Sequence, residues 1–408
     1  MSVIESLRAT SAPERRLVAA RFFQRMACDS SYFIGILGLA TYTLGANATE
    51  VSMLMLLLNL CVVVGNLLGG VVVDRIGPRL TCAGALALGV AFAMVVQFLV
   101  PSFVLVYALG ATVGLISGLE ETALRSFPPY LVEGDAALQR TNGLVEFATN
   151  VSVVAGPTVG GIISANFDVL RVFVFYAAST AVALAIVLST HEEFHPVRVA
   201  EEGEPGNGHF LADLSEGFRV TFSSTFLRTL FILGFLGFFA FGAFDSLESL
   251  FYRDVLRVSA DWMGWLTAIM GVGCVVGAVV MMRMSERRLT MGSLVVALFV
   301  VGAGSMLYVG TPFVACAMVG QLVTGLGFGV LEPLQTLLVQ RDVSLHHLGR
   351  VMATMRTGLQ SAGIIPLLVA PALADLFGVQ AVLFCASAMV SCVALAFGAW
   401  LWTRRRRA

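Results

Sequence analysis

The chain contains no lysine; all 25 of its basic residues are arginine. Charge of either sign is scarce: charged residues fill 12% of the 408 positions, where a soluble domain carries roughly 25%. That leaves too little polar surface to cover a globule in water. The net charge of −1 says little by itself, and no nucleic-acid partner is expected. No two of the seven cysteines (Cys28, Cys61, Cys82, Cys274, Cys316, Cys385, Cys392) form a CxxC pair, and all lie in apolar runs. That argues against a disulfide framework or a metal site and for small core hydrophobes. No GxxxxGK[ST] loop is present, so direct drive by ATP has no sequence support. The stretch from Met1 to Arg16 is polar and charged, unlike a cleavable signal peptide. No cofactor motif is evident.

Apolar residues are what the chain has in abundance. They make up 58% of it, the mean hydropathy is +0.88, and they come in long runs. Their natural solvent is a lipid bilayer, which a helix of about 20 apolar residues can cross. Twelve such spans are expected, at 22–44, 50–72, 80–100, 103–124, 142–165, 169–190, 227–249, 262–282, 290–310, 313–333, 351–373 and 379–402. Pro101-Ser102 and Gly310-Thr311-Pro312 read as tight hairpins between spans. With a cytoplasmic N-terminus only Arg171, Arg253 and Arg257 fall outside, and the other 22 arginines lie on the cytoplasmic side or at its boundary. The tail Arg404-Arg405-Arg406-Arg407 then sits inside, behind an interfacial pair, Trp400 and Trp402. A plasma-membrane protein with both termini in the cytoplasm is the reading that follows.

The polar segment 191–226 interrupts this pattern with Glu192, Glu193, Glu201, Glu202, Glu204, Pro196, Pro205 and Gly203-x-x-Gly206. It reads as a cytoplasmic linker between a six-helix bundle at 1–190 and another at 227–408, with a short surface helix at 211–219. The halves are related. Gly65, Gly69, Arg75 and Arg79 recur as Gly273, Gly277, Arg283 and Arg287, 208 positions later. Repeated membrane bundles of this kind suggest a carrier with a site between its halves. One chain supplies both halves, so a monomer suffices.

The stretch Gly70-x-x-x-Asp74-Arg75-x-Gly77-x-Arg79 ends the second span. Gly69 and Gly70 permit close helix contact, and Gly77-Pro78 makes a tight turn. Asp74 lies beside two guanidiniums and is expected to be ionised and paired. The plain alternative is an ordinary positively charged inside turn. The fifth span reads Gly143, Ser152, then Gly156-Pro157-Thr158-Val159-Gly160-Gly161. Its small residues allow close backbone approach, and Pro157 frees a carbonyl and can bend the helix.

These two segments resemble signatures of the major facilitator superfamily: its loop between spans two and three, and the antiporter motif of its exporters. The resemblance covers nearly the whole chain and is nearest to the macrolide, multidrug and siderophore exporters. Pro129-Tyr130-Leu131-Val132 before Thr141-Asn142-Gly143, and Leu348-Gly349-Arg350-Val351, add to it. It implies an all-α fold of twelve membrane helices in two pseudo-symmetric bundles. It also implies a gating role for Gly70, Asp74, Arg75, Gly77 and Arg79 through contacts to the partner bundle. Gly143, Ser152, Gly156, Pro157, Gly160 and Gly161 would form a helix interface. Ser152 stands where a glycine is expected. The second copy has Met282 for the Asp and Ser285 for the Gly, so any latch is asymmetric. Drug exporters of the family often carry a buried Arg in span four, associated with proton coupling. Here that span reads Val106-Tyr107-Ala108-Leu109-Gly110-Ala111-Thr112-Val113-Gly114, without one.

Ionisable groups inside spans are candidates for proton or substrate handling, because burying them in lipid is costly. Asp29 lies two turns into span one, four residues after Arg25, a spacing that allows an ion pair. Glu121 and Glu332 are pseudo-equivalent, since Gly118-x-x-Glu121 echoes Gly329-x-x-Glu332. Both stand near the cytoplasmic mouth, where Arg125, Arg341 or Arg350 could pair with them. Glu146 is one turn into span five. Asp245 and Glu248 share a face of span seven near its outer end. Gln321, Thr324, Asn150 and Gln360 are polar groups nearer the midplane. Phe231, Phe235, Phe238, Phe239, Phe241 and Phe244 either wall a cavity for a lipophilic substrate or face lipid and core.

Two motifs are decoys to weigh. His191-Glu192-Glu193-Phe194-His195 matches the HExxH of zinc proteases, but Pro196 follows at once and no third ligand is near. Asn47-Ala48-Thr49 fits a glycosylation sequon. The expectation that results is a secondary active transporter working by alternating access. It would export a small lipophilic or amphipathic compound (drug, macrolide or siderophore class) against entering protons. Import or facilitated passage of a small metabolite is the alternative, and a membrane metalloprotease using His191, Glu192 and His195 is a remote one.

Overall fold

A computed structural model describes residues 10–190, 218–343 and 351–407, apart from 353, 356, 357 and 360. It describes the backbone alone for the arginines at 404–407. Most of the linker expected at 191–226, the HExxH stretch, Leu348-Gly349-Arg350 and Gln360 lie outside the described residues.

Twelve long helices form among the described residues. In chain order they are α1 (Ala12–Ser30, continued by π-turns Ser31–Ile36 and Leu39–Thr43), α2 (Ala48–Ile76), α3 (Pro78–Val96), α4 (Phe103–Arg125), α5 (Asp135–Asn166) and α6 (Val172–Ser189). The second set is α7 (Thr225–Leu250, continued by the π-turn Phe251–Leu256), α8 (Asp261–Met282), α9 (Met291–Val309), α10 (Val314–Asp342), α11 (Ile364–Phe377) and α12 (Val379–Arg407). Ten of them are long and apolar enough to cross a membrane. The exceptions are α1, which carries charge, and α11. Leu60, Leu67, Val104 and Val275 are more than half exposed. On a chain this apolar, such a surface faces lipid.

Local chemistry sets the helix ends. Ser11 caps α1, accepting from the Glu14 amide while the Glu14 carboxylate accepts from the Ser11 amide, and Pro13 sits in the first turn. Ser224 caps α7, accepting from the Leu227 amide without a reciprocal partner, 213 positions later. Both helices end in π-turns, Leu39–Thr43 and Phe251–Leu256, which start 212 positions apart. Such turns are rare and recur at functional places. Gly77 separates α2 from α3 at φ +84°, a conformation that costs a glycine little.

The duplication is clearest where helices touch. A Cβ on Gly65 or Gly118 would strike the carbonyl oxygens of Leu115 and Val62 across the α2–α4 seam. Gly273 and Gly329 are held against Leu322 and Cys274 in the same way across α8–α10. In a membrane no hydrophobic effect drives helices together, so such close backbone approach and its dispersion contacts bind them.

The chain divides into two compact units, Met1–Val199 with Val258–Ala268, and Ala200–Arg257 with Ile269–Ala408. In the first, Leu17, Val73, Leu86, Leu124, Phe127 and Val187 pack as a buried cluster. In the second, Leu227, Leu230, Leu294, Leu298, Leu331 and Leu334 do so.

Several expectations need correction. The first helix begins at Ala12, not 22, because the capping box outweighs the charge of Arg15, Arg16, Arg21 and Arg25. Asp29 therefore lies more than four turns into it, not two. Helix α10 runs on past Pro333 to Asp342. Gly70 and Gly143 serve no close contact among the described residues, since a Cβ on either meets none of them within 4 Å. Cys28 and Cys82 are buried core residues, but Cys385 and Cys392 are exposed. Asn47 caps α2, its Oδ1 accepting from the Glu50 amide at 2.9 Å.

Valine at Gly114 would place a Cβ 2.5 Å from the Leu58 carbonyl oxygen. We expect Gly114→Val to lose about 1–3 kcal/mol, read as a lower thermal midpoint of the detergent-solubilised protein. Gly143→Ala, made alongside it, should leave that midpoint unchanged or raise it, because a helical alanine is favoured over glycine.

Candidate functional site: a buried charge network on the first helix

Four turns of α1 carry most of the interior charge of the first unit. Glu14, 2% exposed, accepts from Arg140 Nη2 at 3.0 Å and Thr141 Oγ1 at 2.6 Å, both on α5. Two turns on, Arg21 is also 2% exposed. Its Nη1 lies 2.6 Å from Glu121 Oε2 of α4 and donates to Gln24 Oε1 at 3.1 Å. Its Nε donates to Thr149 Oγ1 of α5 at 2.9 Å. Gln24 passes the connection on, donating from Nε2 to Glu120 Oε2 at 2.8 Å. The next turn holds the expected pair. Arg25 grips Asp29 with two parallel contacts, Nη2 to Oδ1 and Nε to Oδ2, each 2.9 Å. That fork is the strong geometry for such a pair. Asp29 is 4% exposed.

The span-five ladder seats against this same stretch. A Cβ on Gly156 would come 2.7 Å from the Met26 carbonyl oxygen and 3.0 Å from Asp29 Cβ. One on Gly160 would come 2.6 Å from Ser30 Oγ. Gly161 faces the first turns of α8, its Cβ position 3.1 Å from Gly264 Cα. Ser152 explains its own departure from glycine: its hydroxyl lies 2.9 Å from the Phe22 carbonyl oxygen and 2.8 Å from that of Ala148. Pro157 sits inside the continuous helix α5.

At the turn between α2 and α3, Arg79 Nη2 donates to the Leu188 carbonyl at 2.6 Å. Arg16 Nη1 donates to the neighbouring Ser189 carbonyl, also at 2.6 Å. Two guanidiniums thus cap the C-terminus of α6, where orphan carbonyls and the helix dipole favour cations. This is a role for Arg79 inside its own unit. Asp74 and Arg75 are exposed at the same turn.

The second unit has its own polar knot. Glu248 Oε1 on α7 accepts from Tyr308 Oη of α9 at 2.8 Å, Tyr252 Oη at 3.1 Å and Gln321 Nε2 of α10 at 3.4 Å. Two predicted residues, Glu248 and Gln321, are thereby brought together. Asp245, one turn before, is exposed, as are Glu146, Asn150 and Glu332. Thr324 lies 3.3 Å from Ser305, hydroxyl to hydroxyl. Below the knot, Phe238, Phe241 and Phe328 line an apolar pocket whose polar member is Gln335.

A family model described as the Major Facilitator Superfamily matches residues 20–367. The chain belongs to that superfamily. Among its relatives, the multidrug efflux pump Tap of Mycobacterium tuberculosis is 26% identical over 264 residues, which cover 64% of this chain and 61% of the pump. The enterobactin exporter EntS of Shigella boydii is 26% identical over 281 residues, 67% of this chain and 64% of the exporter. The chain spans less than two thirds of the length of these relatives. The crystal structure of the nucleoside transporter NupG shares the fold, with a TM-score of 0.71 at 13% identity over 95% of this chain and 99% of that one.

Membership places the chain in a family of multi-pass membrane transporters rather than of enzymes, and the HExxH match lies outside the described residues. The arginine sought in span four is absent there, but a buried arginine does meet that span: Arg21 reaches it from α1. Sequence reasoning missed Glu14 and Arg21 because α1 was expected to start after both, while Gln24 and Glu120 lay within expected spans and were not singled out. The available signal for the first two was the Ser11-x-x-Glu14 capping box, which extends the helix to include them. Glu121 does pair with Arg125, at 2.5 Å. That partner is 45% exposed, and the contact contributes little beside the buried one.

Glu121→Gln leaves Arg21 buried without its counter-charge. We expect a loss of about 3 kcal/mol, the low end for a broken buried pair because Glu121 retains some exposure. Adding Arg21→Met should restore much of it, as measured by thermal unfolding of the single and double variants.

Proposed function

We propose that the chain is a proton-coupled exporter of a small lipophilic or amphipathic compound, working by alternating access. The observation that carries this reading is the meeting of two sequence features at one place. The Gly-Pro-x-x-Gly-Gly ladder associated with exporters packs its Gly156 directly behind Asp29, the buried carboxylate gripped by Arg25. A carboxylate at that depth can exchange its ion pair for a proton, and the close α1–α5 seam couples it to helix movement. The efflux relatives, a multidrug pump and a siderophore exporter, support the direction and the class of cargo. Asp29 is the first proton candidate, followed by Glu121, Asp245, Glu248, Glu332 and Glu146. Gln321 and Asn150 are candidates to orient the substrate, and Asp74, Arg75 and Arg79 to gate.

We place it in the plasma membrane as a monomer with both termini in the cytoplasm, its bundles at 1–190 and 227–408 joined through 191–226. The arginine distribution supports that orientation.

Ethidium accumulation in efflux-deficient bacteria tests the function. Cells expressing the chain should retain several-fold less dye than empty-vector cells. A protonophore, Asp29→Asn or Asp74→Asn should each abolish the difference, with the protein present in the membrane in every case. Equal retention in all strains, across a wider panel of lipophilic dyes and antibiotics, would instead favour a carrier for a narrow metabolite.

A further inference from the structure

Adjacent residues of a helix point about 100° apart, so the two glutamates of α4 meet different surroundings. Glu121 has Arg21 and Arg125. Glu120 turns inward and is 0% exposed. Its Oε2 accepts from Gln24 at 2.8 Å and from the Cys28 thiol at 3.6 Å. Its Oε1 has no hydrogen-bond partner among the described residues. That oxygen borders a definite spot. A Cβ on Gly89 of α3 would lie 3.6 Å from Glu120 Oε1 and 2.8 Å from the Tyr176 hydroxyl of α6. Glycine at 89 keeps the space between those two oxygens open.

The groups facing Glu120 are Arg21, Gln24 and Cys28 from α1, Cys82 from α3, Glu121 beside it on α4, and Tyr176 from α6. One of these is a cation, and it is already engaged: Arg21 stands 2.6 Å from Glu121 and reaches Glu120 through Gln24. An ionised Glu120 would hold a charge matched by no cation of its own, in full burial. The neutral acid has no such difficulty. Its hydrogen on Oε1 can be donated into the spot shared with Tyr176, while Oε2 keeps its present donors.

We propose that Glu120 is a proton-carrying carboxyl of this transporter, taking a proton on Oε1 and releasing it when Arg21 turns from Glu121 towards it. The proposal deepens, and rests on, the proton-coupled reading above. In uptake a hydronium ion gives its proton to Oε1, an O–H bond forms, and the carboxylate charge is neutralised. Release returns the proton to water and restores the charge. Gln24 is the positioning residue between the two states, because its carbonyl holds Arg21 and its amide holds Glu120. Adjacent carboxyls competing for one guanidinium give the first unit a two-position element that a proton can bias.

Infrared difference spectroscopy of the full chain in lipid membranes tests this without any substrate. Acidic samples should show the carbonyl-stretch band of a buried protonated acid, declining on alkaline titration as carboxylate bands grow. Glu120→Gln should remove the band, Glu120→Asp should keep it at a shifted frequency, and Tyr176→Phe should shift it. A band that survives Glu120→Gln, or no protonated-acid band at any pH, overturns the proposal. On the unaltered chain, dicyclohexylcarbodiimide labelling mapped by mass spectrometry should fall on Glu120 and strengthen at acid pH. Labelling confined to other carboxyls overturns it as well. Ethidium provides the coupled readout: Glu120→Gln should lose uphill export but keep downhill exchange. If no form of the chain moves ethidium, the export reading fails separately, and the spectroscopic result still decides Glu120.

Discussion

Charge inside an apolar solvent must be answered by other charge or by hydrogen bonds, and the first unit is organised around that requirement. Helix α1 carries Glu14 and, two turns on, Arg21, Arg25 and Asp29 at successive turns, and each meets a partner. Glu14 meets α5, Arg21 meets α4 and α5, and Arg25 and Asp29 meet each other. Removing Arg25 leaves the buried Asp29 carboxylate alone, which costs far more than the pair gains. Such networks specify one arrangement of helices rather than merely adding stability.

Glycine supplies the complementary constraint. At the α2–α4 and α8–α10 seams the missing side chains let backbones meet, so that two related halves reach the same packing with different residues around it. The α1–α5 seam does this at the charged stretch itself. There the close approach of Gly156 and Gly160 ties movement of α5 to the turn that bears Asp29. Charge and packing are thus set by the same few residues. The second unit differs in kind: Glu248 is held by tyrosine hydroxyls and a glutamine amide, not by arginine.

Much of this was readable beforehand. Periodic apolar runs located the helices, since a span of lipid demands a minimum length of apolar chain whatever its neighbours. The pairing of Arg25 with Asp29 and of Glu121 with Arg125 followed from (i, i+4) spacing, a property of one helix alone. What escaped was whatever required a second helix. Glu120 and Glu121 are alike in sequence, and only the positions of α1, α3 and α6 make one paired and the other buried with an oxygen unmatched. Glycines behave likewise: Gly70 and Gly143 sit in motifs beside Gly69 and Gly156, yet among the described residues they meet no other helix, while Gly69 meets Thr122 and Gly156 meets the Met26 carbonyl.

The sequence by itself determined that this chain suits a membrane, that it is duplicated and all-helical, and where most of its helices run. These depend on hydropathy, turn chemistry and local caps, which act within a few residues along the chain. Tertiary structure decided which face each helix turns inward, and so which carboxylates are paired, exposed or enclosed. That choice is made by helix rotation, and rotation is set by the fit of side chains and glycines on neighbouring helices far away in sequence.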